Sequence, residues 1–175
     1  LPNVMTYRTL QKLDVPGNED MLAALDRSVQ IAIQLLYAQQ KADGGWGWFV
    51  QDQSNPLVTA YAIIGLTTAR ENGFAVDLDV ILRAEDFLES QFRAITPQMA
   101  GWQLDRQVFM LYALAYAGGP DVARMDQHYD SRERLSIYAK ALLATAFDMA
   151  AAPGMGDTRA DTLLSDIVND AITSA

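Results

Sequence analysis

Carboxylates are the abundant reactive group of this chain: 22 Asp and Glu stand beside one histidine, His128, and no cysteine. Without thiols there is no disulfide, no cysteine nucleophile and no His/Cys zinc site within these residues. Carboxylates alone can still run acid–base chemistry if two of them face each other across a cleft. The acidic stretches do not offer that spacing. "VDLDV" supplies Asp77 and Asp79, short of the Asp-x-Asp-Asp proton donor of triterpene cyclases, and acids at a helix start serve its N-terminus. "DTRAD" (157–161) is not the Asp-Asp-x-x-Asp of a prenyl transferase. Asp148 is the carboxylate set well inside an apolar helical run, and a lone acid makes no glycosidase pair. His128, on the short polar "DVARMDQHYD", reads as a solvated or locally hydrogen-bonded side chain. No metal site and no cofactor follow from these residues.

The aromatic residues are the second candidate. "DGGWGWF" (43–49) packs two tryptophans, a phenylalanine and three glycines into seven positions, and Gln40 to Trp46 fits the Gln-x-x-x-Gly-x-Trp signature that triterpene cyclases repeat. Glycines let a backbone turn where a Cβ would clash, and indoles beside such a turn can cap helix ends. Trp46, Trp48 and Trp102 are therefore expected to be plugs at the rim of a helical array, with Tyr61 beside them; the functional alternative is a ligand platform.

The elements that carry these residues are helical and of two alternating kinds. "EDMLAALDRSVQIAIQLLYAQQ" spaces Leu22, Leu25, Val29, Ile33 and Leu36 at three and four residues, with Asn18 as its N-cap, and should be an outer helix. "PLVTAYAIIGLTTA" (56–69) opens with Pro56, is apolar nearly all round and stops at Asn72-Gly73, so it should be inner. Asp77 caps a further outer helix with the stripe Leu78, Ile81, Leu88 and Phe92. "RQVFMLYALAYA" is inner, "DVARMDQHYD" outer, and "RLSIYAKALLATAFDMAA" inner up to Pro153-Gly154. The last segment is amphipathic, with Leu163, Leu164, Ile167, Val168 and Ile172 on one side. With "PNVMTYRTLQKL" as a first inner helix there are four inner–outer pairs.

The pairs also echo one another. "LLYAQ" (35–39), Gly45-Trp46 and Tyr61-Ala62 find counterparts in "FLESQ" (87–91), Gly101-Trp102 and Tyr112-Ala113. Repeated hairpins with one apolar and one amphipathic helix stack into a solenoid or a closed ring. Aromatic glycine turns in so long a repeat favour the ring, so the fold class is all-α, an α/α toroid, incomplete in these 175 residues. The length suits one domain, 1–175.

Composition sets the partners that can be excluded. A net charge of −9 with a sequence pI near 4.4, and Lys and Arg scattered along the chain, repel phosphate backbones and anionic lipid surfaces. Nucleic acid is not an expected partner. No apolar run approaches the roughly 20 residues that span a bilayer, and no membrane contact is expected.

Taken together, "LPNVMTYRTLQKL", "DGGWGWFVQDQSNPLVTAYAIIGL", "VDLDVILRAEDFLESQ" and "RLSIYAKALLATA" resemble, in order, the thioester domain of bacterial alpha-2-macroglobulin-like proteins, relatives of the complement thioester proteins. The "DGGWGWF" turn and the "LVTAYAIIGL" helix are the most specific parts. The resemblance implies an α/α toroid and a protease trap. In that family a Cys-x-Glu-Gln motif, just before a segment like "LPNVM", forms an internal thioester that a protease lysine attacks once a bait region is cut. The chain then starts after the motif, so the thioester Cys and Gln lie outside it and no catalytic residue is assigned. The protein would be a suicide inhibitor and not an enzyme. Its partners would be target proteases and neighbouring β-sandwich domains, and its location extracytoplasmic, in the periplasm or cell envelope.

In complement members a histidine follows the helix resembling "AEDFLESQ" and relays the acyl group to hydroxyls. The matching stretch here, "FRAITPQMAGWQLD" (92–105), has none, and His128 lies on another segment. The resemblance implies direct transfer to amines, with Gln98 and Met99 as neighbours of the thioester. Two other classes remain open: a terpene-cyclase-like or glycan-active toroid enzyme, which needs an acidic pocket, and a structural or peptide-binding toroid, which needs an exposed apolar groove.

Overall fold

A computed structural model describes residues 2–13, 17 and 19–173, and the regular elements among them are all helical. Contacts divide the chain into two compact units, Leu1–Phe87 and Leu88–Ala175.

The first unit holds α1 (Pro2–Leu13), α2 (Glu19–Gln39), α3 (Pro56–Glu71) and the larger part of α4 (Leu78–Ser90). Both ends of α3 are written in the sequence. Asn55 Oδ1 accepts from the Leu57 and Val58 amides at 2.9 and 3.4 Å, satisfying two of the free N–H groups of the first turn, and Pro56 supplies a residue with no N–H to satisfy. At the other end Gly73 adopts φ +87°, and the Phe74 amide reaches back to the Ala69 carbonyl at 3.1 Å. Between these caps α3 is buried nearly all round, as its lack of a polar face requires. The longer α2 buries only Val29 and Ile33. The N-cap expected at Asn18 lies outside the described residues. Two details depart from the sequence reading. α1 buries Val4 alone, because its Thr, Arg, Gln and Lys leave it no continuous apolar face, so it is not an inner helix of the α3 kind. On α4, Leu78 is exposed, and Val80, Ile81, Ala84, Phe87 and Leu88 form the buried stripe behind the Asp77 cap, whose Oδ1 accepts the Asp79 amide at 3.0 Å.

The second unit is built on α5 (Gly101–Ala117) and α7 (Ile137–Ala150), with α6 (Val122–Asp130), the 3-10 turn Arg132–Arg134 and α8 (Thr158–Thr173) around them. Leu104, Val108 and Leu111 of α5, Met125 of α6, Leu143 and Phe147 of α7 and Leu163 of α8 share one core. α5 begins five residues before the expected apolar run, at Gly101, so Trp102 sits on a helical first turn. Its far end follows the sequence: Gly118 takes φ +102° and the Gly119 amide closes on the Leu114 carbonyl at 3.0 Å. On α8 the core face is Ala160 and Leu163; Leu164, Val168 and Ile172, expected on the same side, are exposed. Polar ties replace that apolar area. Buried Lys140 meets Asp170 at 2.5 Å, Arg132 meets Asp166 at 3.2 Å, and Arg159 pairs with Asp126 and Asp157 while its guanidinium lies 4.1 Å from the Phe147 ring centroid.

Candidate functional site

Each unit holds one glycine–tryptophan turn as its candidate site, and each turn has its own construction. In the first unit Gln40 is the organising side chain. Its Nε2 donates to the Gly44 and Val80 carbonyls at 3.0 and 2.8 Å, and its Oε1 accepts from Arg83 at 2.5 Å, so one amide joins the turn to α4. Gly44 is held at φ +87°, and a Cβ there would stand 2.1 Å from the Arg83 carbonyl oxygen. No other residue fits that approach. The indole of Trp46 is 2% exposed and donates from Nε1 to the Leu36 carbonyl at 2.8 Å, a second donor to an acceptor in the last turn of α2 that also takes the Gln40 amide at 3.1 Å. Its backbone N–H donates to Thr59 Oγ1 at 3.0 Å and its carbonyl accepts from Asn55 at 2.7 Å. Every part of the Gln-x-x-x-Gly-x-Trp signature therefore has a structural task.

Trp48 behaves differently. It is 66% exposed, and Phe49 and Val50 beside it are equally open. The Lys41 ammonium, donating to the Val50 carbonyl at 2.8 Å, and the Asp52 carboxylate, accepting the Phe49 amide at 3.2 Å, hold this tip. Trp102 is 64% exposed, with the Arg106 guanidinium 5.7 Å from its ring, and Tyr61 on α3 is 54% exposed. The plug geometry expected of all three indoles is thus found at Trp46, whereas Trp48 and Trp102 present their rings to solvent. Trp102 lacks a plug's environment because its backbone continues into α5 and turns the side chain outward.

The stretch 92–105 in the second unit is set by polar side chains. Gln107, buried on α5, accepts the Arg93 amide at 2.7 Å and donates toward Met99 Sδ at 3.5 Å. Arg134 donates to the carbonyls of Thr96 and Met99, Gln103 accepts the Ala100 amide at 2.8 Å, and Asp105 accepts the Ser136 amide at 3.0 Å. Of the two residues singled out by sequence, Gln98 is exposed and Met99 is half-buried against the second unit's core. Gln107 and Arg134 were missed. Nothing in their local spacing marks them, since their partners lie up to 38 residues away.

Among the described residues the two carboxylates that share a neighbour, Asp126 and Asp157, are both engaged by Arg159. His128 is buried and not solvated: its Nδ1 lies 2.8 Å from the Arg124 carbonyl, which fixes the proton on Nδ1, and its Nε2 meets no partner. Burial pushes its pKa below the ordinary histidine value, with the Arg124 hydrogen bond opposing. Asp157 is held below the usual carboxylate range by Arg159. Tyr112 is raised, first by burial and then by the neighbouring phenols of Tyr116 and Tyr138; this group of tyrosines, with Phe109 6.4 Å from Tyr112, has no precedent in the sequence reading. Asp148 is exposed. A cleft of about 680 Å³ in the first unit contains one carboxylate, Asp26, already accepting from Gln30 at 2.7 Å. An acid–base dyad needs two. Among the described residues no cluster of three or more His, Cys, Asp and Glu could hold a metal, and no helix is long and apolar enough to cross a membrane.

Comparison with known proteins locates this architecture. No family model matches the chain. A curated alpha-2-macroglobulin of Thermotoga maritima is 34% identical over 64 residues, 37% of this chain and 4% of that protein. The structure superposes on native Escherichia coli alpha-2-macroglobulin, spanning domain MG7 to the C-terminus, with a TM-score of 0.71 at 21% identity over 91% of this chain and 26% of that one. It superposes on Salmonella alpha-2-macroglobulin reacted with methylamine at 0.73 and 20% over 97% and 11%. Trypsin-activated E. coli alpha-2-macroglobulin gives 0.71 and 21% over 96% and 12%. The chain therefore resembles bacterial alpha-2-macroglobulins over almost its whole length, and shares the all-α, toroid-type fold of one region of them. It spans a small part of each.

Proposed function

We propose that residues 1–175 act as one thioester-type domain of a bacterial alpha-2-macroglobulin-like protease inhibitor. The carrying observation is the fold likeness over 91–97% of the chain, which the local identity to the Thermotoga protein supports independently. In this reading the thioester residues belong to a Cys-x-Glu-Gln motif preceding "LPNVM". A lysine amine of the attacked protease adds to the thioester carbonyl, the C–S bond breaks, the thiolate leaves and takes up the proton, and an amide joins protease to inhibitor. The acyl group is consumed, so the protein traps and does not turn over. The helical domain's part is to shelter that acyl group from water, with Gln98 and Met99 as its neighbours and β-sandwich domains of the parent completing the cover. The setting is extracytoplasmic, where target proteases are met.

Amines are the preferred nucleophile in this reading. The stretch 92–105 offers no imidazole to relay the acyl group, and His128 is buried with its Nδ1 engaged. A primary amine needs no relay. That a Salmonella relative was reacted with methylamine is in keeping with this. The test gives the trypsin-treated full-length protein labelled methylamine and labelled glycerol in competition. Amide-linked methylamine is expected as the main product; ester-linked glycerol overturns direct transfer. Residues 1–175 alone should take up neither label, and covalent labelling within them removes the thioester reading.

A further inference from the structure

The 21-residue helix α2 carries two apolar stripes. The inward one, Leu22, Leu25, Val29, Ile33 and Leu36, is buried or half-buried. The second runs Met21, Ala24, Ser28, Ile31, Leu35 and Ala38, and every member of it is exposed, Met21, Ile31 and Leu35 by 55%, 61% and 55%. Its spacing alternates three and four without a break, which is the seam by which one helix meets another. The hydroxyl within it is no obstacle, because Ser28 Oγ donates to the Ala24 carbonyl at 2.8 Å and covering it orphans no donor. A single open Leu needs no explanation, but a stripe of about five turns does. Ile31 and Leu35 also line the cleft of about 680 Å³ beside Phe74, which leaves room for side chains of a neighbour.

The order of sizes along the stripe identifies that neighbour. Laid against itself in reverse, the stripe sets Met21 opposite Ala38, Ala24 opposite Leu35 and Ser28 opposite Ile31, so every layer joins a bulky side chain to a small one across a two-fold axis. A parallel pairing would set Met against Met and Ala against Ala, crowding some layers and leaving gaps in others. Charge points the same way. Along one flank of the seam the reversed pairing brings Arg27 beside Gln34 of the second copy and Asp20 toward the end that carries Lys41; along the other flank Leu25 meets Ala32, and no like charges face each other. We infer that this chain associates with a second copy of itself through α2, as an antiparallel helix pair whose two-fold axis passes between Ser28 and Ile31.

Because the chain has no cysteine, introduced thiols report this geometry without background. Met21→Cys and Ala38→Cys chains, mixed and oxidised in air, should give a disulfide-linked heterodimer. Each variant alone should give at least about tenfold less linked dimer, since its two thiols would lie about 25 Å apart along the paired helices. Linked dimer formed by Met21→Cys alone as readily as by the mixture, or no linked dimer from either, overturns the inference. Sedimentation of the unmodified chain at roughly 200 μM should show dimer, as befits the weak end of specific interfaces. Ile31→Glu, which sets two carboxylates beside the axis, should weaken association at least about tenfold while the melting temperature of the dilute chain is unchanged. A monomer at the higher concentration leaves the stripe to a helix of another chain and overturns self-association; so does an Ile31→Glu chain that dimerises as before.

Discussion

Gly45-Trp46 and Gly101-Trp102 occupy corresponding places in the sequence repeat, and the fold uses them in opposite ways. The first indole is buried, bonded through its N–H to an α2 carbonyl and seated over a backbone that only glycine allows. The second rides on the first turn of α5, open to solvent, and its segment is fixed instead by Gln107 and Arg134. The lesson concerns the units they belong to. The first encloses its indole over a glycine backbone that Gln40 ties to α4, the second leaves its indole open and is held by polar side chains of α5 and the 3-10 turn, and the two respond to different perturbations.

The largest effect should come from Trp46→Ala, which empties a closed site and removes the indole donor from the Leu36 carbonyl. A loss of about 3 to 5 kcal/mol is expected in urea denaturation. If Trp46→Ala and Trp102→Ala prove equally costly, the contrast between the turns is broken. A ligand lost by Trp46→Ala at unchanged melting temperature would restore the platform reading.

Gly44→Ala comes next, since the new methyl would meet the Arg83 carbonyl at 2.1 Å in a backbone already at positive φ. About 2 to 3 kcal/mol should be lost. Gly101→Ala in the other turn, with 3.2 Å of room and no positive φ, should change the melting midpoint far less.

Gln107→Leu sharpens the polar half of the comparison. The Arg93 amide loses its acceptor and Met99 its donor, at about 1 to 2 kcal/mol. The discriminating readout is faster hydrogen exchange in 92–100 with the first unit unaffected; a uniform change across the chain would contradict a local role.

The second unit should also carry the pH dependence. His128 binds protons less readily folded than unfolded, so stability is full above the ordinary histidine value of 6.5 and falls as pH drops below it toward the depressed folded value. Asp157, also depressed, holds its contribution until pH falls below 3.8. Denaturation midpoints at about pH 7 and 5.5 should separate for the parent chain and converge for His128→Phe. Identical slopes in both would assign the effect elsewhere. Smallest of all, Trp102→Ala should cost about 0.5 to 1 kcal/mol, the worth of an exposed cation–π contact with Arg106.

The caps of α3 and α4 and the apolar character of α3, α5 and α7 were legible without coordinates, because those signals are local; the inner place expected of α1 was not found. A proline after an asparagine starts α3, a glycine at positive φ ends α3 and α5, and an apolar run with no polar face must be buried wherever it goes. The Leu163 and Leu164 pair shows the limit. Adjacent residues of equal hydrophobicity differ in burial only through what packs beside them, and ion pairs took the place that an apolar stripe would have filled.

By itself, then, the sequence determined an all-α chain of repeated hairpins, the resemblance carried by "DGGWGWF" and "LVTAYAIIGL", and the absence of thiols and of a relay imidazole from 92–105. Those are matters of residue type and short-range period. Only the tertiary structure decided that Trp46 is enclosed while Trp48 and Trp102 are open, that His128 is buried with one nitrogen bare, and that Met99 turns inward while Gln98 does not. Each of these depends on partners supplied from elsewhere in the chain, such as Thr59 for Trp46 and Gln107 for Met99, and burial is a property of those neighbours and not of the residue's own type.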